Sequence, residues 1–288
     1  MKNLLTVILL AASIVHSQTQ YRFNINNINL PFNNKGVLAD VNIPPDGPLG
    51  RFGVGTFLFS AGFMVSGYNA DTLWACAEAT ASLIENFIPG NVDSNQSNPI
   101  YKIYVNNSSS SPDYIDCQDY INAVNSGAGF YDGDGDSIYN PVDLNNNGQW
   151  DPNEDKPDII GDKMTWCVYN DGVPGNLRLR FAGVDPVGLE IHQSLFGYAS
   201  ITLGNVIFIR YELLNTGKVN TKLDSVYFST WADPDLGTDY FNDLAGCDTL
   251  RNSGFAYNAE GSDPAYGVAV PSFFIRFLEG PVSYIPEI

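Results

Sequence analysis

The run DGDGDSIYNPVDLNNNGQWDPNE, Asp132 to Glu154, constrains this chain more than any other stretch. Asp132, Asp134 and Asp136 stand at positions 1, 3 and 5 of a twelve-residue loop, with the carbonyl of Ile138 at 7, Asn140 at 9 and Asp143 at 12. The count restarts at Asp143: Asn145 and Asn147 take positions 3 and 5, Gly148 position 6, the carbonyl of Gln149 position 7, Asp151 position 9 and Glu154 position 12. A hard cation such as Ca2+ takes six to eight oxygens, and alternate residues of a tight loop can aim them at one centre. Two such loops in series predict calcium sites, with Asp143 shared between them. Ser137 replaces the usual glycine at position 6 of the first loop, where a left-handed backbone costs a non-glycine residue roughly 1 kcal/mol. Leu144, Tyr139 and Trp150 are placed to pack the turns. Pro141 and Pro152, and the lack of a following amphipathic helix, argue against an EF-hand helix pair.

The segments around the loops predict strands. YRFNINNINL (21–30), GVLADVNI (36–43), RFGVGTFLFSAGFMV (51–65), YKIYV (101–105), LRLRF (177–181), LEIHQSLFGYA (189–199), NVIFIRYELL (205–214), LDSVYFSTW (223–231) and SFFIRF (272–277) are short apolar or alternating runs bounded by Gly, Asn and Pro. Residues 73–87 read as helix or strand. Residues 113–124 predict one short helix, with Ser111 as N-cap, Pro112 at the first position and Gly127 as the stop. The expected fold is mainly β: an antiparallel sandwich with one short helix and an inserted tandem calcium-loop segment. The expected divisions are 1–17, a signal peptide; 18–110, an N-terminal β region; 111–162, helix plus calcium loops; and 163–288, a β-sandwich region, read as either truncated or one segment of a longer chain.

The formal charge is -18, while only 16% of residues are charged and 44% are hydrophobic. That balance fits a folded chain and opposes binding to nucleic acid or anionic membrane. The first residues, MKNLLTVILLAASIVHSQ, carry Lys2 and an apolar run from Leu4 to Val15. This is the length of a signal-peptide core and short of the roughly 20 residues of a span, so cleavage before Gln18 and export are expected, with no transmembrane segment in the mature chain. Export leaves Cys76, Cys117, Cys167 and Cys247 with two readings: two disulfides of open connectivity, or buried thiols. His192 is the one histidine beyond the leader and reads as a surface or packed residue before a base. No HExxH, GxSxG, SxxK or Gly-rich phosphate loop occurs, so the chain reads as non-enzymatic. Trp74, Trp150, Trp166 and Trp231 read as core before sugar platforms. A second acidic group, Asp233, Asp235, Asp239, Asp243 and Asp248, matches no standard loop and reads as polar connection before ion site.

The run FYDGDGDSIYNPVDLNNNGQWDPNEDKPDIIGD, then TWCVYNDG, and later VIFIRYELLNTG and LDSVYFSTWADPDLG, resembles large secreted proteins of bacteria that use the type IX route. The loops themselves are similar to those of dockerins and thrombospondin type 3 repeats. The resemblance implies export, surface attachment or release, and structural calcium. It supplies no catalytic residues. Proteins of this kind end in a C-terminal β-sandwich sorting domain, of which residues 280–288 carry no signature. The functional expectation is surface architecture or adhesion through a glycan or another surface protein, with polysaccharide binding or degradation as the alternative.

Overall fold

The computed structural model describes residues 19–77, 86–92, 103–107 and 114–280, the side chains of 114–116 excepted. The expected leader, the Ser111 and Pro112 cap and most of the ambiguous stretch before Phe87 lie outside these residues. Every strand pairing is antiparallel, as expected for short runs joined by tight turns. Strands β1 (Gln20–Phe23), β2 (Ile28–Asn33), β3 (Gly50–Phe52) and β4 (Gly55–Leu58) form a four-stranded sheet in that order. The long β5 (Ser60–Asn69) pairs with β6 (Thr72–Ala77). Next come β7 (Ile88–Pro89) and β8 (Tyr104–Asn107), then the expected short helical segment, formed by α1 (Tyr114–Asp119) and α2 (Ile121–Asn125) with a break at Tyr120. The helical segment stops as predicted, with Gly127 at φ 106 and its N–H on the Val124 carbonyl.

The paired β9 (Phe130–Tyr131) and β10 (Lys156–Pro157) bracket the acidic loops. Strand β11 (Lys163–Asn170) follows and pairs on one side with β12 (Leu189–Gly197), on the other with β7 and β8. β12 in turn pairs with β13 (Ile207–Asn215). β14 (Asp224–Asp233) returns to the other side of β5, and β15 (Asp243–Asp248), β16 (Ser253–Asn258) and β17 (Phe273–Arg276) make a last three-stranded sheet. Among the described residues no helix is long and apolar enough to cross a membrane.

Two expected strands are not strands. Residues 36–43 are apolar because they are buried, but Gly36 and Ala39 have φ of 92° and 68°. That left-handed backbone breaks the ladder, leaving Leu38 single bridges to Phe32 and Ala61. Residues 177–181 follow a 3-10 turn, Gly175–Leu177, and Phe181 sits at φ 59°. Leu177 and Leu179 are exposed while Arg178 is buried and donates to the carbonyls of Val173, Ala75 and Asp171. The alternation there has its polar member inside. No disulfide joins the cysteines; Cys76, Cys117 and Cys167 are buried, as the thiol reading expects, whereas Cys247 is exposed.

The principal core joins the facing sheets. Phe23, Leu30 and Phe32 from β1 and β2, and Phe63, Val65, Trp74 and Cys76 from β5 and β6, meet Cys167, Tyr169, Leu189, Ile191 and Leu195 from β11 and β12. Phe63 is its aromatic hub, with ring centroids 5.6 Å from Phe87, 4.8 Å from Tyr211 and 5.2 Å from Phe228. A second cluster lies on the opposite face of β11: Trp166 and Val168 pack against Tyr120, Ala123, Ala128 and Tyr139. The loop segment is thereby seated on the sandwich. Truncating the hub, Phe63→Ala, should lower the unfolding free energy by about 3–5 kcal/mol in a urea titration; a loss below about 1 kcal/mol would be incompatible with a shared core at this ring.

Candidate metal centre

The first loop starts from a backbone that its own side chains fold. Asp132 accepts the N–H of Gly135 (2.7 Å) and of Ser137 (3.0 Å), Asp134 that of Asp136 (3.1 Å), and Asp136 that of Ile138 (2.7 Å). The second loop repeats the pattern eleven residues on (132 to 143). Asp143 accepts from Asn147 (3.2 Å) and Gly148 (2.8 Å), Asn145 from Asn147 (3.0 Å), and Asn147 from Gln149 (2.7 Å). The left-handed residues repeat as well: Gly135 and Asn146, then Ser137 and Gly148. Ser137 thus adopts φ 64°, the conformation that its position demands of any residue.

In the first loop the oxygens of Asp132, Asp134 and Asp136 lie within 4.8 Å of one another. Two ligands of one calcium ion, each at about 2.4 Å, can stand no more than about 4.8 Å apart, so the triad fits one ion of that size. The donor set is all oxygen and anionic, as a hard cation requires. The N–H of Asp136 lowers the carboxyl pKa of Asp134; desolvation and the charges of Asp136, Asp155 and Asp132 outweigh it and leave that pKa above the ordinary value.

The second loop balances itself differently. The amide nitrogens of Asn145 and Asn147 both converge on Asp151 Oδ2, at 2.6 and 3.3 Å. Their oxygens already accept backbone N–H groups, which fixes the orientation of both carboxamides. Asp143, read from the sequence as shared, spends both oxygens on N–H groups of the second loop. Ile138, Asn140 and Gln149 are exposed and lie along the loops as placed. Of the three packing residues, Tyr139 is buried, with its hydroxyl on the Cys117 carbonyl at 3.0 Å, Trp150 is half-buried, and Leu144 is exposed. Leu144 offers its N–H, not its side chain, to the structure.

Sequence counting missed one residue. Asp155 is 2% exposed and accepts the N–H of Gly133 and of Asn140, each at 2.9 Å. Its neighbour Glu154, also 2% exposed, accepts the N–H of Leu144 at 2.7 Å and of Asp151 at 2.9 Å. Among the described residues no lysine or arginine forms an ion pair with either carboxylate, and the nearby Lys156 lies instead over the Tyr131 ring. The signal in the sequence was a second acid directly after position 12.

The second acidic group does not converge in this way. Asp263, absent from the sequence reading, is buried, which would raise its pKa, yet four backbone N–H groups, from Thr238, Asp239, Ala265 and Tyr266, hold it below the usual range. Asp248 pairs with Arg251. Burial, then Asp233 and Asp243, push the Asp235 carboxyl up to about 6. His192, read as surface or packed, is packed: its Nε2 lies 2.9 Å from Glu190, and its ring stands edge-on to Trp166. Burial raises the Glu190 pKa, but hydrogen bonds from His192, Val92 and Asn91 more than offset it and leave it lowered. Trp74 and Trp166 are core, whereas Trp150 and Trp231 are half-buried. No known family model, no curated protein and no solved structure matches the chain.

Two outcomes follow from this geometry. A methyl group on Gly133 would collide with the backbone of Glu154, so Gly133→Ala should cost about 1–3 kcal/mol, read as a lower thermal midpoint. Asp235 binds its proton more tightly in the fold than an unfolded Asp, near 3.9, does. Its share of stability is therefore gained as pH falls through about 6, is complete only below about 3.9, and is lost again as pH rises through about 6. A carboxyl-carbon NMR titration should place its midpoint near 6, and Asp235→Asn should flatten the stability change over that window.

Proposed function

We propose that this is an exported, non-enzymatic β-sandwich protein of the cell surface whose tandem loops bind structural calcium, in surface architecture or adhesion. The observation that carries the reading is the triad of Asp132, Asp134 and Asp136, three carboxylates converging on one point of calcium size. Crowded carboxylates repel, and a divalent ion at their centre removes that repulsion. The loops lie on the outer face of β11, so an ion there braces a surface module and does no chemistry on a substrate. The leader, the net charge of -18 and the resemblance to type IX secreted proteins support an extracellular place, where sites with dissociation constants of roughly 0.1–1 mM are filled.

A second reading, binding of a polysaccharide, draws on the outer face of the last sheet. Phe255 stands between Tyr257 and Phe274 at 6.3 and 5.9 Å, and Tyr257 and Phe274 are exposed. Such a row suits stacking on sugar rings. Loss of glycan retention in Phe274→Ala would favour it.

Calcium at about 100 times the dissociation constant should stabilise the fold by roughly 2.7 kcal/mol per filled site. For a chain of this size that is on the order of 5–10 °C in thermal midpoint, at about 2–4 °C per kcal/mol. Chelator should reverse the gain, and Asp134→Ala should abolish most of it. An unchanged midpoint between excess calcium and chelator would remove the calcium reading.

A further inference from the structure

We propose that strand β13 is a self-recognition edge, through which two copies of this chain join antiparallel about a two-fold axis at Tyr211. Among the described residues β13 is the end strand of its sheet, with β12 on one side and no strand on the other. Its nine residues, Ile207–Asn215, pair with β12 in unbroken register, without bulge, proline or lysine. An end strand of that length and regularity is a template for another strand, and folded proteins ordinarily blunt it with one of those devices. β14, the end strand of the facing sheet, is blunted in this way. Its register shifts between Asp224 and Tyr227, and Ser225 stands at φ 49°.

The residues of β13 select a second copy as the occupant. An antiparallel pair centred on Tyr211 sets Arg210 of each copy opposite Glu212 of the other, Ile209 opposite Leu213, and Phe208 opposite Leu214. Opposite charges directly across such a pair are favourable, and like charges are not. Arg210 and Glu212 are both exposed and already pair within one strand at 3.2 Å, so the two-fold axis brings together four charges of alternating sign. The apolar pairs match as well. Ile207 and Tyr211 pack on the sandwich core, which places Ile209 and Leu213 on the same face of the strand, yet each of these is 36% exposed. On the other face Phe208 stacks on Phe196, and Leu214 is exposed. Pairing in this register covers apolar surface that one copy leaves in water. The same operation on β14 would set Asp224 opposite Asp233, so that edge rejects a second copy. The net charge of -18 opposes any self-association, but at 0.15 M salt it is screened beyond roughly 8 Å, whereas facing residues of a strand pair stand about 5 Å apart.

Sedimentation velocity of the whole mature chain, from about 1 to 300 μM in 0.15 M salt, should show a monomer–dimer equilibrium. A single strand pair is a small interface, so the dissociation constant should be roughly 10–100 μM. Arg210→Glu and Glu212→Arg change exposed side chains, and each sets like charges opposite one another; each should raise that constant by about tenfold or more. Mixed in equal amounts, the two variants again face opposite charges and should form a heterodimer of about native strength. The double change, Arg210→Glu with Glu212→Arg, should restore self-pairing in one chain. Rescue of this kind separates the facing charges from any loss of folding. A native chain that stays monomeric at about 300 μM would overturn the proposal. A dimer that neither single variant weakens would overturn it too, because its interface would lie elsewhere. Single variants that weaken the dimer and are not rescued by mixing would overturn the register centred on Tyr211.

Discussion

The structure depends on β11 being buried on both faces. Along Lys163–Asn170 every residue after the first is buried. Cys167 and Tyr169 face the sandwich core, while Trp166 and Val168 face the cluster that contains Tyr120 and Tyr139. A strand with one wet face would leave the helices and the acidic loops as a loose insertion. Here the second face gives them an apolar floor. Tyr139 anchors the first loop to that floor within the turn itself, ring to ring with Phe130 at 5.2 Å and Tyr120 at 5.9 Å. The chain can therefore collect at least seven carboxylates between residues 132 and 155 and still hold them on a defined frame.

The same double burial explains what was hard to read in the sequence. Strands β12, β13 and β14 were legible because turn residues bound them and their apolar runs are short. KMTWCVYN was not, because a strand packed on both sides need not alternate, and a continuous run does not declare its structure. The opposite error occurred at 36–43 and 177–181. There the apolar pattern was real, but positive φ at Ala39 and Phe181 and the buried guanidinium of Arg178 determine a different backbone. Pattern reports what a residue's surroundings reward; it does not report a left-handed turn at an alanine or a phenylalanine.

Within the acidic segment the grouping of Asp132, Asp134 and Asp136 was legible, for a physical reason. The ligand spacing of a twelve-residue loop is local, so positions 1, 3 and 5 are fixed by the chain's own geometry. The acids after the second loop are different, because the N–H groups they meet depend on how far the chain folds back. Glu154 accepts from Leu144 and Asp151 of its own loop. Asp155 reaches across from the end of the other loop through the β9–β10 pairing, which no count along one loop can show.

That distinction bears on how an acidic protein of this charge remains folded. Two carboxylates buried without a positive side chain are costly to desolvate, and hydrogen bonds from four amide groups offset only part of that cost. The second loop reduces its share by turning the carboxamides of Asn145 and Asn147 onto Asp151. The first loop holds carboxylates at the equivalent positions, Asp134 and Asp136, and has no such internal donor among its described contacts. The two copies therefore differ in electrostatic demand although their backbones repeat. The first, with three carboxylates brought together, carries the greater repulsion.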